Sequence, residues 1–90
     1  MKIERDNETI EIITYLDSPT KATVFKHFKG QEYKVVAIAR DSENLEEKVI
    51  YRGEYENNPL WIRSYKDFFS EVDHEKYPEI KQKYRFEIKK

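Results

Sequence analysis

The apolar residues of this chain come in short runs, and the longest unbroken one is Val35-Val36-Ala37-Ile38-Ala39. Most of the others alternate with polar residues. Alternation with a period of two places one face of a strand on a core and the other in water. Helical spacing occurs once, at Tyr65, Phe68, Phe69 and Val72. A chain patterned this way builds sheets and very little helix. Runs this short cannot cross a membrane as a helix, and none reads as a signal peptide.

Composition matters because 39% of the residues are charged. Disorder of a charged chain also needs a large net charge and few aromatics. Here 17 Lys and Arg nearly balance 18 Asp and Glu, and the chain holds seven Tyr, five Phe and one Trp. It is therefore expected to fold around a small aromatic core. The 90 residues amount to one domain.

The strands can be read in order. Residues 1–8 are polar and are expected to fray. Residues 9–16 are β-branched and read as a strand, followed by turn chemistry at Asp17-Ser18-Pro19. Residues 1–20 are read as an N-terminal extension, an added strand that pairs onto the sheet or onto a second chain. Residues 21–90 are read as a single small β domain. Residues 22–28 alternate, and Gly30 lies in the turn before the next strand, Tyr33 to Arg40. That strand is apolar on both faces and is expected to be buried on both. Lys48 to Tyr55 is a strand with Val49, Tyr51 and Gly53 on one face. Leu60 to Arg63 is another, with Trp61 and Arg63 sharing a face. Ser64 is placed to cap a short helix, with Asp67 at the capping-box position. Tyr84 to Ile88 closes the set. About six short strands predict a small, SH3-like fold: a strongly bent antiparallel sheet or partly open barrel with one short helix.

The near-zero net charge is a sum of blocks. Residues 21–40 carry five basic groups and one acidic, and so do residues 81–90; residues 41–60 carry two basic and six acidic. General coating of nucleic acid is excluded. A local positive face is not, provided the two basic blocks meet.

Several chemistries lack their parts. There is no cysteine, which removes disulfides, thiolate zinc sites and thiol nucleophiles and fits a reducing cytoplasm. His27 and His74 have no metal-ligand spacing. Gly30 and Gly53 are the only glycines, too few for a phosphate-cradling loop. No cofactor, metal or membrane contact is expected.

The stretch from Phe25 to Phe86 resembles the family catalogued as domain of unknown function 1653. The resemblance rests on Phe25-Lys26-His27-Phe28-Lys29-Gly30, Tyr33 and Val35, Ala39-Arg40, Ser42-Glu43, Glu46-Glu47 and Val49-Ile50-Tyr51. Tyr55, Leu60-Trp61-Ile62-Arg63, Phe68 and Arg85-Phe86 complete it. The resemblance implies a small β-rich bacterial or phage domain with no assigned activity. The chain departs from the pattern at Asp41, Asn44 and Ser64, where the family usually has His, Thr and Pro. Residues 1–20 lie outside it.

The candidate ligand-binding residues are His27, Lys29, Arg40, Glu43, Tyr51, Trp61, Arg63 and Arg85. The arginines offer planar forks for phosphate or carboxylate, and Trp61 and Tyr51 offer rings for stacking. Each also has an ordinary reading. Trp61 and Tyr51 suit a core, His27 suits a turn cap, and Arg40 and Arg63 suit ion pairs with Glu43, Glu46 or Glu47.

Three functions follow. The first is a binding module holding a nucleotide, nucleic acid or other anionic ligand on a basic-aromatic face. The second is a protein-interaction or accessory domain, monomeric or weakly homodimeric, with Tyr33, Tyr55 and Trp61 lining a groove. The third is a small enzyme with His27 and Glu43 as acid and base.

Overall fold

The computed structural model describes residues 1–90. It has seven strands and one helical turn: β1 Lys2–Arg5, β2 Glu8–Glu11, β3 Val24–His27, β4 Glu32–Arg40, β5 Glu47–Gly53, β6 Leu60–Ser64, α1 Tyr65–Phe68 and β7 Phe86–Ile88. All pairings are antiparallel, with β1 and β2 forming one small sheet and the other five strands a second in the order β6-β5-β4-β3-β7. The chain is thus mainly β with one short helix, as its patterning requires. The five-stranded sheet does not close into a barrel: β6 and β7 are its two edges.

The N-terminus departs from expectation. Residues 2–5 do not fray; they pair with residues 8–11 as a hairpin. Asp6 and Asn7 form the turn at φ 55° and 64°, the two left-handed residues that a tight hairpin needs and that Asp and Asn tolerate. The strand read over 9–16 stops at Glu11. Beyond it Ile12 is fully buried, and the Tyr15 N–H donates to the Val35 carbonyl at 2.8 Å. Residues 15 and 16 thus bond to β4 beyond the end of β3.

The apolar run in β4 has its own explanation. Val35 pairs with Tyr51 and Ala37 with Ile50, so Val36 is an extra residue in a bulge. The bulge resets the alternation. Tyr33 and Val35 face the core before it, and Ile38 faces the core after it. An unbroken run therefore serves one core face, and only Val35 in this strand is fully buried.

The core joins Ile3 and Ile12 to Phe25, Val35, Val49, Tyr51, Phe68 and Phe86. The helical turn supplies its lid. The Ser64 hydroxyl accepts the Asp67 N–H at 3.1 Å and caps the turn, which lowers Phe68 onto Phe86. Their rings stack with centroids 4.0 Å apart and planes within 7°. Phe25 meets Phe68 edge to face at 5.6 Å. Such pairs contribute about 1 kcal/mol each beyond their buried area. No helix is long and apolar enough to cross a membrane.

Candidate functional site

The site grows from the register of β5 and β6. Tyr51 lies opposite Trp61, and Val49 opposite Arg63. Residues paired this way share a face, so Arg63 lies diagonally beside Tyr51. Its Nε donates to the buried Tyr51 hydroxyl at 3.0 Å. Its Nη1 donates to Asp67 Oδ2 at 2.8 Å. Burial works against the Arg63 charge, but Tyr51 and Asp67 outweigh it and hold the guanidinium charged.

Arg85 approaches the same carboxylate from the chain entering β7. Its Nε lies 3.9 Å from Asp67 Oδ1 and donates to Ser70 Oγ at 2.9 Å. Asp67 therefore serves two arginines instead of completing the capping box with the Ser64 N–H. The expected pairing of Arg63 with Glu43, Glu46 or Glu47 does not form. Asp67, four residues along, takes that place.

His27 lies behind this cluster, packed edge to face on Phe86 at 4.8 Å. Its Nδ1 accepts the Lys29 N–H at 3.1 Å, so it caps its own turn. Gly30 completes that turn at φ 109°. Burial, and then the charges of Arg63, Lys29 and Arg85, push the His27 pKa down to about 4. The ring is neutral at pH 7, and with Nδ1 accepting, its proton sits on Nε2. Three cations thus bear electrostatically on one histidine. Asp67 is the carboxylate bonded to the two arginines.

Trp61 is not in the core. It is 48% exposed on the edge strand, and its indole N–H donates to the Tyr55 hydroxyl at 3.0 Å. Tyr55 in turn meets the Tyr33 hydroxyl at 3.4 Å. Gly53 makes this possible, because a Cβ there would collide with the Tyr55 ring. Burial, followed by the bond to Tyr55, raises the Tyr33 pKa.

The structure gathers His27, Tyr51, Arg63 and Arg85 around Asp67 and Phe86, with Trp61 beside Tyr51 at the β6 edge and the Lys29 ammonium against the Phe28 and Tyr77 rings. It does not bring Arg40 or Glu43. Arg40 ends β4 opposite Glu47, about 20 Å along the strand from Tyr33. Glu43 lies in the following loop, where its N–H bonds Asp41. His27 and Glu43 make no contact that would serve acid–base chemistry.

The basic blocks do meet, through the pairing of β3 with β7. Alternation divides their charges, however. Lys26, Lys89 and Lys90 border a groove of about 450 Å³ with Gln82, Glu87 and Ile88, on the face opposite Phe25 and Phe86. Another groove, of about 320 Å³, runs between Arg5, Ile10 and Tyr84. Neither includes Trp61 or Arg63.

Sequence reasoning missed Asp67 and Ser70 as parts of the site, and placed Tyr33 and Tyr55 beside Trp61 only as a groove for a protein partner. Asp67 was visible as the i+4 partner of Arg63. Ser70 carried no local signal.

These features define a small antiparallel-β domain with a charged and aromatic cluster on one face of its sheet. Residues 23–88 match the family model described as protein of unknown function (DUF1653), and the chain belongs to that family. No curated protein and no solved structure matches it.

Proposed function

We propose that the domain is a binding module for a phosphate-bearing ligand with an aromatic base, a nucleotide or single-stranded nucleic acid, taken at the Trp61–Arg63 surface. The observation that carries this reading is the excess of cations. Arg63, Arg85 and Lys29 all lie within electrostatic reach of His27, and Asp67 is the one carboxylate bonded among them. Beside them stands an indole anchored at its N–H and exposed elsewhere. An anchored ring provides a platform on which a base stacks, worth about 1–3 kcal/mol. The charged forks then take the phosphate. The SH3-like comparison and a cytoplasmic location belong to this proposal too, the first because five bent antiparallel strands leave such a face open, the second because the chain lacks cysteine.

Calorimetric titration with a mononucleotide and with a single-stranded oligonucleotide at low salt tests the reading. Binding tighter than about 100 µM is expected, weakened by Trp61→Ala and by Lys29→Ala. Absence of binding, or binding indifferent to both substitutions, contradicts it. A second reading, protein interaction, is favoured by the exposure of Leu60 and Ile62 at 66% and 64%.

A further inference from the structure

The two edges of the large sheet are finished differently. At β7 the Arg5 guanidinium donates to the Phe86 carbonyl at 3.0 Å, and Glu87, Lys89 and Lys90 crowd the same end of the chain. Caps and charges of this kind keep an edge from pairing. At β6 there is none of this. Its single charge, Arg63, is turned toward Tyr51 and Asp67. Leu60, Trp61 and Ile62 stand in solvent.

The free backbone groups of β6 follow from its ladder. The Gly53 N–H donates to the Pro59 carbonyl. Antiparallel pairs alternate between bonded and unbonded. Trp61 and Arg63 therefore direct their backbone groups at β5, and Leu60, Ile62 and Ser64 direct their N–H groups outward.

The geometry points to a second copy of this chain as the occupant of that edge, paired β6 to β6 about a two-fold axis at Ile62. The strand is complementary to itself in this register. Ile62 exchanges both backbone bonds with the partner's Ile62, and its exposed side chain meets its own equivalent. Leu60 faces the partner's Ser64, whose N–H reaches the Leu60 carbonyl. On the other face Trp61 lies directly opposite the partner's Arg63, in the close unbonded pairing that brings an indole over a guanidinium. The guanidinium is 32% exposed and receives it. No like charges oppose one another anywhere along the five residues. A two-fold contact needs such self-complementarity, residue i on j and j on i. The result is one continuous sheet of ten strands.

This inference does not rest on the anion-binding reading; because pairing sets the partner's Arg63 against the Trp61 indole, the two occupants compete for that ring, and titration of the monomeric Ile62→Lys variant tests the ligand separately. Sedimentation equilibrium of the full chain over a concentration series is the experiment. The apparent mass is expected to climb from 11.0 kDa toward twice that value. Ile62→Lys, which sets two lysines against each other on the axis, keeps the mass at the monomer value, and circular dichroism shows the fold retained because Ile62 is exposed. Leu16→Lys, at an exposed apolar residue in the turn between β2 and β3, leaves the association unchanged. Since the chain has no cysteine, Ile62→Cys gives one unambiguous cross-link: a bonded antiparallel pair separates its Cα atoms by about 5.5 Å, within disulfide reach. Mild oxidation is expected to convert Ile62→Cys to a covalent dimer and to leave Leu16→Cys monomeric. A mass that stays at the monomer value, association that survives Ile62→Lys, or equal cross-linking at both positions overturns the proposal.

Discussion

Acidification tests the environment of His27. Its pKa is about 4 in the folded chain and about 6.5 unfolded. The unfolded chain therefore binds the proton more readily, and stability falls as pH drops. The contribution is fully present above pH 6.5, declines between about 6.5 and 4, and is gone below. The full shift corresponds to about 3 kcal/mol. The ring keeps 9% exposure and its neighbouring cations are partly solvated, so screening reduces this to about 1–2 kcal/mol. For a domain of this size that is about 10 °C in Tm. Carboxylates titrate in the same range, so the comparison needs His27→Asn. Its side-chain oxygen still accepts the Lys29 N–H but does not titrate. The variant should lose about 1–3 kcal/mol at pH 7 from ring packing. Denaturant melts at pH 7 and pH 4 should show that deficit shrinking by about 1–2 kcal/mol. Parallel curves for wild type and variant would refute the argument, because then neither burial nor the three cations act on His27.

Four other outcomes follow from particular contacts. Phe68→Ala removes a fully buried ring that stacks on Phe86 and meets Phe25 and Tyr51; urea melts should show a loss of about 3–5 kcal/mol. Ser64→Ala removes the helix cap and should cost about 1 kcal/mol by the same assay. Ser64→Pro should cost no more than that, because the residue already holds φ −60°. Gly53→Ala drives a methyl into the Tyr55 ring and should free the indole N–H, seen as a shift in the emission of Trp61, the only tryptophan.

Most strands were legible because alternation is a local property. Val49, Tyr51 and Gly53 shared a face in the sequence and share one in the fold. The hairpin at the N-terminus was not recognised because Lys2, Glu4 and Arg5 leave Ile3 as the only apolar residue of β1. The available signal was Asp6-Asn7, two residues suited to a tight turn between two alternating segments. Trp61 marks a different limit. Alternation assigned it a face shared with Arg63, and the register sets both on the Tyr51 face of β5. Whether anything covers that face depends on strand order, and β6 is an edge. The site divides along the same line. The Tyr51–Arg63 contact follows from register, whereas the convergence of Arg85 and Asp67 needs α1 and β7 packed together.

The most direct test uses Trp61 itself, through its fluorescence during titration with a single-stranded oligonucleotide at several salt concentrations. Three cations against one carboxylate predict two or three phosphate contacts, so log K should fall against log salt with a slope of about −2. Emission should quench as a base stacks on the exposed indole. Unchanged emission, or binding with no salt dependence, would contradict the assignment of this surface to an anionic ligand.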